Sequence, residues 1–260
     1  MSKLKSPLKT LAIFLGLTWF STWGVSTIPI DRLPFSDFWK SITYHGMCAV
    51  IWIVLIGLLV PTVFQRARIR MPKKNLIIAI FIMAYFLSGN FRDAQWHGRP
   101  IHFIIGAFFF TFFIGLDEDL FSRGLVFGLL EKYGIGVAAA IQAIHFGALH
   151  FTNYIWGGQS FSYTAAQMLD AAAFGYLCCG LMLLTGSIWV PILFHGLSDF
   201  PLQMQTQHDF TVQVTGAPDW GGTILDAAMM ASVAAVLIGM KSPWAIERSK
   251  KVLSHFGLVE

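Results

Sequence analysis

Glu118, His150, His195 and Asp199 are among the ionisable side chains that interrupt largely apolar stretches of the chain. Their types suit peptide hydrolysis, which requires a water, a base to activate it and donors for the developing oxyanion. Glu118 with His150 could hold and deprotonate the water. His195, and Asp199 if protonated, could donate to the oxyanion, since a carboxylic acid can stay neutral near neutral pH in a sufficiently apolar site. Spacing adds to this, because His195 and Asp199 stand i,i+4 and so share one helix face. Zinc binding is the alternative use of two histidines and a carboxylate. The chain has no His-Glu-x-x-His segment to supply two ligands from one helical turn, so a site without metal or other cofactor is expected. A lone histidine in an apolar helix is ordinarily a hydrogen-bonded packing residue. Two carboxylates and two histidines drawn from three separate segments make packing alone a weaker account.

Glu118 belongs to the run Leu116-Asp117-Glu118-Asp119-Leu120-Phe121-Ser122-Arg123-Gly124, where three acids and an arginine interrupt an apolar stretch from Ile101 to Leu130. A charged group at a bilayer centre costs roughly 2.5–3.5 kcal/mol on insertion scales, so these groups need partners. Asp119 and Arg123 are i,i+4 and are expected to neutralise each other. Glu118 lies about 140° from Arg123 at ~100° per residue, which frees it to face something else. The bland alternative is a salt-bridged packing cluster between helices. His145 and His150 are likewise about 140° apart. Only one of them can line an interior shared with Glu118, and His145 has no assigned role.

The segments that position these groups read as membrane spans. The chain has 260 residues, 55% hydrophobic and only 12% charged, with a mean hydropathy of +0.63. Soluble domains carry about 25% charged residues, so a polytopic membrane protein is expected, and the net charge of +4 reads as topology, not as affinity for nucleic acid. Eight apolar spans are expected: about Thr10 to Ile30, Ser41 to Phe64, Leu76 to Gly89, Ile101 to Leu130, Ile135 to Phe151, Thr164 to Thr185, Ile188 to Leu202 and Thr223 to Met240. The first could be a signal peptide, given the small residues Gly24-Val25-Ser26, but its apolar character runs past that point, so an uncleaved span is expected. Only helices satisfy every backbone group of such segments internally, so the fold class is an all-α polytopic transmembrane bundle, a single domain over residues 1–260 with its motif-bearing core at about 101–202. Small residues Gly115, Gly124, Gly147, Ala148, Gly175, Gly180 and Gly196 are expected to let helices approach closely around the ionisable groups.

Eight spans put both termini on one side. That side carries Lys3, Lys5, Lys9, Arg66, Arg68, Arg70, Lys73, Lys74, Lys132, Lys241, Arg248, Lys250 and Lys251, thirteen basic residues, against Arg32, Lys40, Arg92 and Arg99 on the other. Both termini are therefore expected in the cytoplasm of a cell-membrane protein. From Ser242 the tail reads as a short interfacial helix. The three cysteines, two of them the adjacent pair Cys178-Cys179, have neither disulfide-framework nor zinc spacing and read as packing residues.

Taken in order, Glu118-Asp119-x-x-x-Arg123, Phe146-x-x-x-His150 and His195-x-x-x-Asp199 resemble the three motifs of the CPBP family, the CAAX proteases and bacteriocin-processing enzymes also called the Abi family. Phe121-Ser122-Arg123-Gly124 and Gly186-Ser187-Ile188-Trp189-Val190-Pro191 add to the likeness, which covers about Asp117 to Phe200. The resemblance implies an eight-helix intramembrane endopeptidase of the glutamate-dependent type. It implies that Glu118 and His150 activate the water, that His195 serves the oxyanion and that Asp199 stands beside it. Asp119, Arg123 and Phe146 support them. The sequence departs from the family pattern twice: Asp119 stands where a second Glu is usual, and Asp199 where Asn is commoner. The implied partners are a membrane-associated protein or peptide substrate and the lipid bilayer. Family members cleave prenylated CAAX termini, process peptides or confer immunity to bacteriocins, and no residue here selects among these. A proton-coupled transporter would use the same buried groups as a relay, with polar residues continuing across several spans; here they cluster at one level, with Asp170 and Asp226 as isolated exceptions. A non-catalytic membrane scaffold is the third reading.

Overall fold

Proline and glycine decide where the apolar segments begin and stop. In the computed structural model, which describes residues 6–94, 96–204 and 217–241, the regular elements are helical apart from one antiparallel bridge between Ala67 and Ser187. The α-helices are α1 (Pro7–Trp19), α2 (Asp37–Leu59), α3 (Lys73–Asp93), α4 (Ile101–Asp119), α5 (Phe127–Leu130), α6 (Ile135–Leu149), α7 (Thr152–Ile155), α8 (Phe161–Thr185), α9 (Trp189–Gln203) and α10 (Trp220–Gly239). Pro61 ends α2 earlier than the apolar run suggests, because it lacks an amide proton and disfavours the helical conformation of Val60, which sits at φ −142°. Conversely α3 extends beyond Leu76–Gly89 at both ends, starting directly after Pro72. At the end of α8, Gly186 adopts φ +71° and its amide closes onto Met182, the left-handed stop that glycine makes without strain. Ser160 caps the start of α8 through Tyr163 N, and Asp219 caps α10 through Gly222 N.

Among the described residues, six helical stretches are long and apolar enough to cross a membrane: 37–59, 73–92, 101–133, 135–155, 161–185 and 220–239. The remaining two expected spans fall on shorter elements. The first is α1, prolonged by a π turn over Phe20–Gly24 and a 3₁₀ turn over Val25–Thr27, and the seventh is the 15-residue α9. At 1.5 Å per residue α9 spans only about 22 Å, short of a hydrocarbon core of about 30 Å. Both nevertheless run between the same two ends of the bundle as the long helices. At one end Lys132 Nζ donates to Thr10 Oγ1, Arg66 pairs with Glu131, and Ser187 Oγ donates to the Arg68 carbonyl. At the other end Trp23 stacks edge-on against Trp156, Arg99 donates to the Met204 carbonyl and Trp220 Nε1 donates to Ser162. The basic loop Arg66–Arg70 and the α8–α9 turn therefore share one end. The tail from Ser242, read above as an interfacial helix, lies outside the described residues.

Close crossings fix the helices that carry the ionisable groups. A Cβ on Gly115 of α4 would lie 2.8 Å from the Ile192 carbonyl of α9, and one on Gly196 would lie 3.1 Å from the Thr111 carbonyl, so the two backbones touch. On α6, a Cβ at Gly147 would meet the Met168 carbonyl of α8 at 2.4 Å. Gly180 packs on Leu237 and Ala234 of α10, and Gly124 accommodates Ile56. Ala148 makes no such crossing; it is exposed, because the close approach of α6 runs through the residue before it. The three cysteines are free, buried and part of the apolar core.

Candidate active site

The α4 helix carries Glu118 and Asp119 in its last turn and then widens into a π segment, Leu120–Val126. Every residue of that segment is buried, including Arg123, whose side chain has no exposed surface. Asp119 Oδ1 lies 3.2 Å from Arg123 Nε, so the expected i,i+4 pair is present, although the two groups touch without hydrogen-bond alignment. The guanidinium carbon sits 4.2 Å above the Phe146 ring, a cation–π contact, and Gly175 leaves room for it, since a Cβ there would lie 3.1 Å from Nη2.

The second oxygen of Asp119 has a use that the sequence did not signal. Oδ2 lies 2.8 Å from His195 Nδ1. A carboxylate committed to Arg123 accepts here, so Nδ1 carries the proton and donates. The other ring nitrogen, Nε2, stands 3.7 Å from Glu118 Oε2 and 3.5 Å from Asp199 Oδ2. Nε2 can donate as well only when the ring carries both protons. Three carboxylates from α4 and α9 thus converge on one imidazole, and Glu118, Asp119, His195 and Asp199 form one cluster.

His150 reaches the site from a different local structure than expected. It is not inside a helix: α6 ends at Leu149, and His150 occupies its C-terminal cap. Its Nδ1 lies 3.0 Å from the Phe146 carbonyl, one of the terminal carbonyls that an α-helix leaves without a partner. A carbonyl only accepts, so Nδ1–H donates and the neutral ring keeps its lone pair on Nε2. Phe146 therefore orients His150 through its backbone, supports Arg123 with its ring face, and packs edge-on against His195 at 5.7 Å.

Glu118 and His150 line a common cavity of about 460 Å³, shared with Phe146, Ser122, His45 and Asp117. Thr152, Asn153, Trp156 and Gln167 line it as well, so it extends toward the bundle end opposite the basic loops. His195 and Asp199 are not among its lining residues; His195 adjoins the cavity wall through Nε2, 3.7 Å from Glu118, and Asp199 lies beside that nitrogen. Asp170 and Asp226 are exposed on α8 and α10, outside its lining. His145 turns the other way, as its angular separation from His150 predicts: it bonds Thr18 Oγ1 at 3.0 Å and packs against Phe14 and Phe121.

A second polar cluster escaped the reading of the sequence. His45 of α2 lies 2.8 Å from Asp117 Oδ2 through Nδ1, and Trp52 Nε1 donates to Asp117 Oδ1. The available signal was the rule that an ionisable residue inside a span needs a partner, which applies to both His45 and Asp117. Which groups meet across 72 positions is not written in their spacing. Among the described residues, no three His, Cys, Asp or Glu side chains are arranged to hold a metal ion.

Residues 100–201 match the family model described as Rce1-like, type II CAAX prenyl endopeptidase, the stretch that holds all three motifs. No curated protein and no solved structure matches the chain. The match agrees with the resemblance to the CPBP family and supports a membrane-embedded peptide hydrolase.

Proposed function

We propose that this integral membrane protein is an intramembrane endopeptidase in which Glu118 and His150 activate a water and His195, with Asp199, stabilises the oxyanion. The observation that carries the reading is the tautomer imposed on His150. With Nδ1–H spent on the Phe146 carbonyl, Nε2 offers a lone pair to the cavity it shares with Glu118. A carboxylate and an imidazole lone pair facing one space can hold a water and take its proton. His195 is fixed by Asp119 through Nδ1, so that its Nε2 is presented beside Glu118. In its doubly protonated form that nitrogen is a donor for the oxygen on which charge develops. The whole chain acts as one transmembrane domain, with the chemistry in its 101–202 core and both termini in the cytoplasm.

The substrate is a membrane-associated protein or peptide, and the name of the matching family makes a prenylated CAAX terminus the first to try. The test is incubation of the purified protein in detergent with a farnesylated CAAX peptide and with a library of membrane peptides, with Glu118→Gln alongside. Cleavage products from the wild type that the variant does not form are expected. Absence of cleavage of every peptide, or equal cleavage by the variant, would remove the proteolytic reading.

Two further expectations arise from the same geometry. Cleavage should persist in strong chelator, because the proposed base pair needs no ion. Stoichiometric zinc in the purified protein, with activity lost on its removal and restored on its return, would overturn this. Asp199 should serve as a neutral donor next to His195 Nε2. Asp199→Asn, which keeps the shape and a donor, is therefore expected to retain most of the rate, while Asp199→Ala loses about 10²–10³-fold, the usual effect of removing one oxyanion donor. Initial rates on one reporter peptide decide it. An Asn variant as inactive as Ala, with folding intact, would show that the carboxylate itself is required.

A further inference from the structure

His45 and Asp117 make a second histidine–carboxylate pair on the cavity wall, and the reaction proposed above leaves both unused. The pair is built to hold one ring orientation. An indole N–H can only donate, so Trp52 fixes Asp117 Oδ1 as an acceptor, and Oδ2 is left to take the Nδ1 proton of His45. The rings of Tyr44 and Phe110 pack edge-on at 5.2 Å and 6.4 Å and confine the imidazole further. Its hydrogen bond to protein among the described residues is made through Nδ1, which leaves Nε2 for a ligand. The side chain keeps 19% of its surface exposed, and it lines the same cavity as Glu118 and His150. Asp117 directly precedes Glu118 on α4, so the anchor of this pair and the proposed base sit on one rigid turn.

Amide hydrolysis has a further step that the roles given above to Glu118, His150, His195 and Asp199 leave unassigned. The departing amine is a very poor leaving group unless it is protonated as the C–N bond breaks. In the proposed roles two of those groups take a proton from water and two serve the oxyanion. We infer that His45, oriented by Asp117, is the general acid for the leaving amine, an assignment that rests on the proteolytic reading. In that step the oxyanion's electron pair re-forms the carbonyl and the C–N bonding pair passes to nitrogen. The Nε2 proton of doubly protonated His45 moves to that nitrogen, and His45 is left neutral. The proton taken earlier from water, held on Glu118 or His150, restores the balance. Asp117 is a positioning residue: it holds Nδ1 and offers its charge to the doubly protonated ring.

The test exploits the leaving group. The farnesylated CAAX peptide is compared with an analogue carrying an ester in place of the scissile amide, whose alcohol departs with far less need of a proton. His45→Asn keeps an amide nitrogen near the position of Nδ1 and removes the proton carrier. His45→Gln removes it with a different shape, in case one variant fails to fold, and thermal unfolding in detergent monitors both. The expected result is a loss of about 10²-fold or more on the amide, with the ester hydrolysed at close to the wild-type rate. Asp117→Asn should show the same selectivity to a smaller degree. Equal slowing of amide and ester by a folded His45 variant overturns the assignment, as does no slowing of either. If the wild type cleaves another membrane peptide and not the farnesylated one, the same amide–ester comparison is made on that peptide; a wild-type protein that cleaves no peptide overturns the proteolytic reading itself, and the role of His45 falls with it.

Discussion

Glu118→Gln is expected to slow peptide cleavage by about 10²–10⁴-fold, the span usually lost with a general base, and to leave thermal stability in detergent unchanged. The two halves of this expectation have separate causes. Glu118 is 35% exposed in its side chain, faces the cavity and takes no part in the Arg123 pair, so the amide replaces it without stranding a buried charge. The amide cannot accept a proton from water, so the proposed base is gone. His150→Gln should act similarly. Residues that work as a unit are strongly non-additive, so the double variant should be little slower than either single one. Initial rates and unfolding temperatures for the three variants measure this. Additive losses would mean that Glu118 and His150 serve separate steps.

For Asp119→Asn the expected result is loss of both stability and rate. Removing one partner of a buried ion pair costs roughly 3–5 kcal/mol, because the other charge is left without compensation in a medium of low polarity. Arg123 is fully buried and has Asp119 and the Phe146 ring as its neighbours, so it has little else to turn to. The rate should fall as well, since Asp119 Oδ2 holds Nδ1 of His195. Arg123→Gln separates the two effects: it should destabilise comparably while leaving the Asp119–His195 hydrogen bond in place. The double variant should cost less than the sum, the signature of a direct pair. Denaturant or thermal unfolding in detergent, with rates on one reporter, checks all three variants. If neither single substitution alters stability, the Asp119–Arg123 pair does not hold the fold together.

Much of this was legible in the chain because membrane proteins obey few and strong rules. An apolar segment long enough to cross must be helical, so composition alone determined an all-α bundle and roughly where its helices lie. The cost of a charge in such a segment marked Glu118, Asp119, Arg123, His150, His195 and Asp199 as residues needing a reason, and helical spacing paired Asp119 with Arg123. Both are local properties, carried by a few consecutive residues. Spacing was less dependable where the helix is irregular or stops. The π segment over Leu120–Val126, the end of α2 ahead of Pro61 and the position of His150 beyond the end of α6 depend on the last turns of each helix, where backbone hydrogen bonds change partners.

Tertiary structure alone decided which polar groups meet. Periodicity identifies the face a residue occupies on its own helix, but not the rotation of a neighbouring helix or the depth at which the two cross. The contacts of Gly115 with α9 and of Gly147 with α8 set those quantities here. From them follow the bond between Asp119 and His195, the shared cavity of Glu118 and His150, and the pairing of His45 with Asp117. Each joins residues on different helices, and the sequence between them carries no period that could encode the distance. The sequence by itself therefore determined the kind of chemistry available and the helices that carry it. The packing of those helices, one against another at glycine, decided which acid holds which histidine.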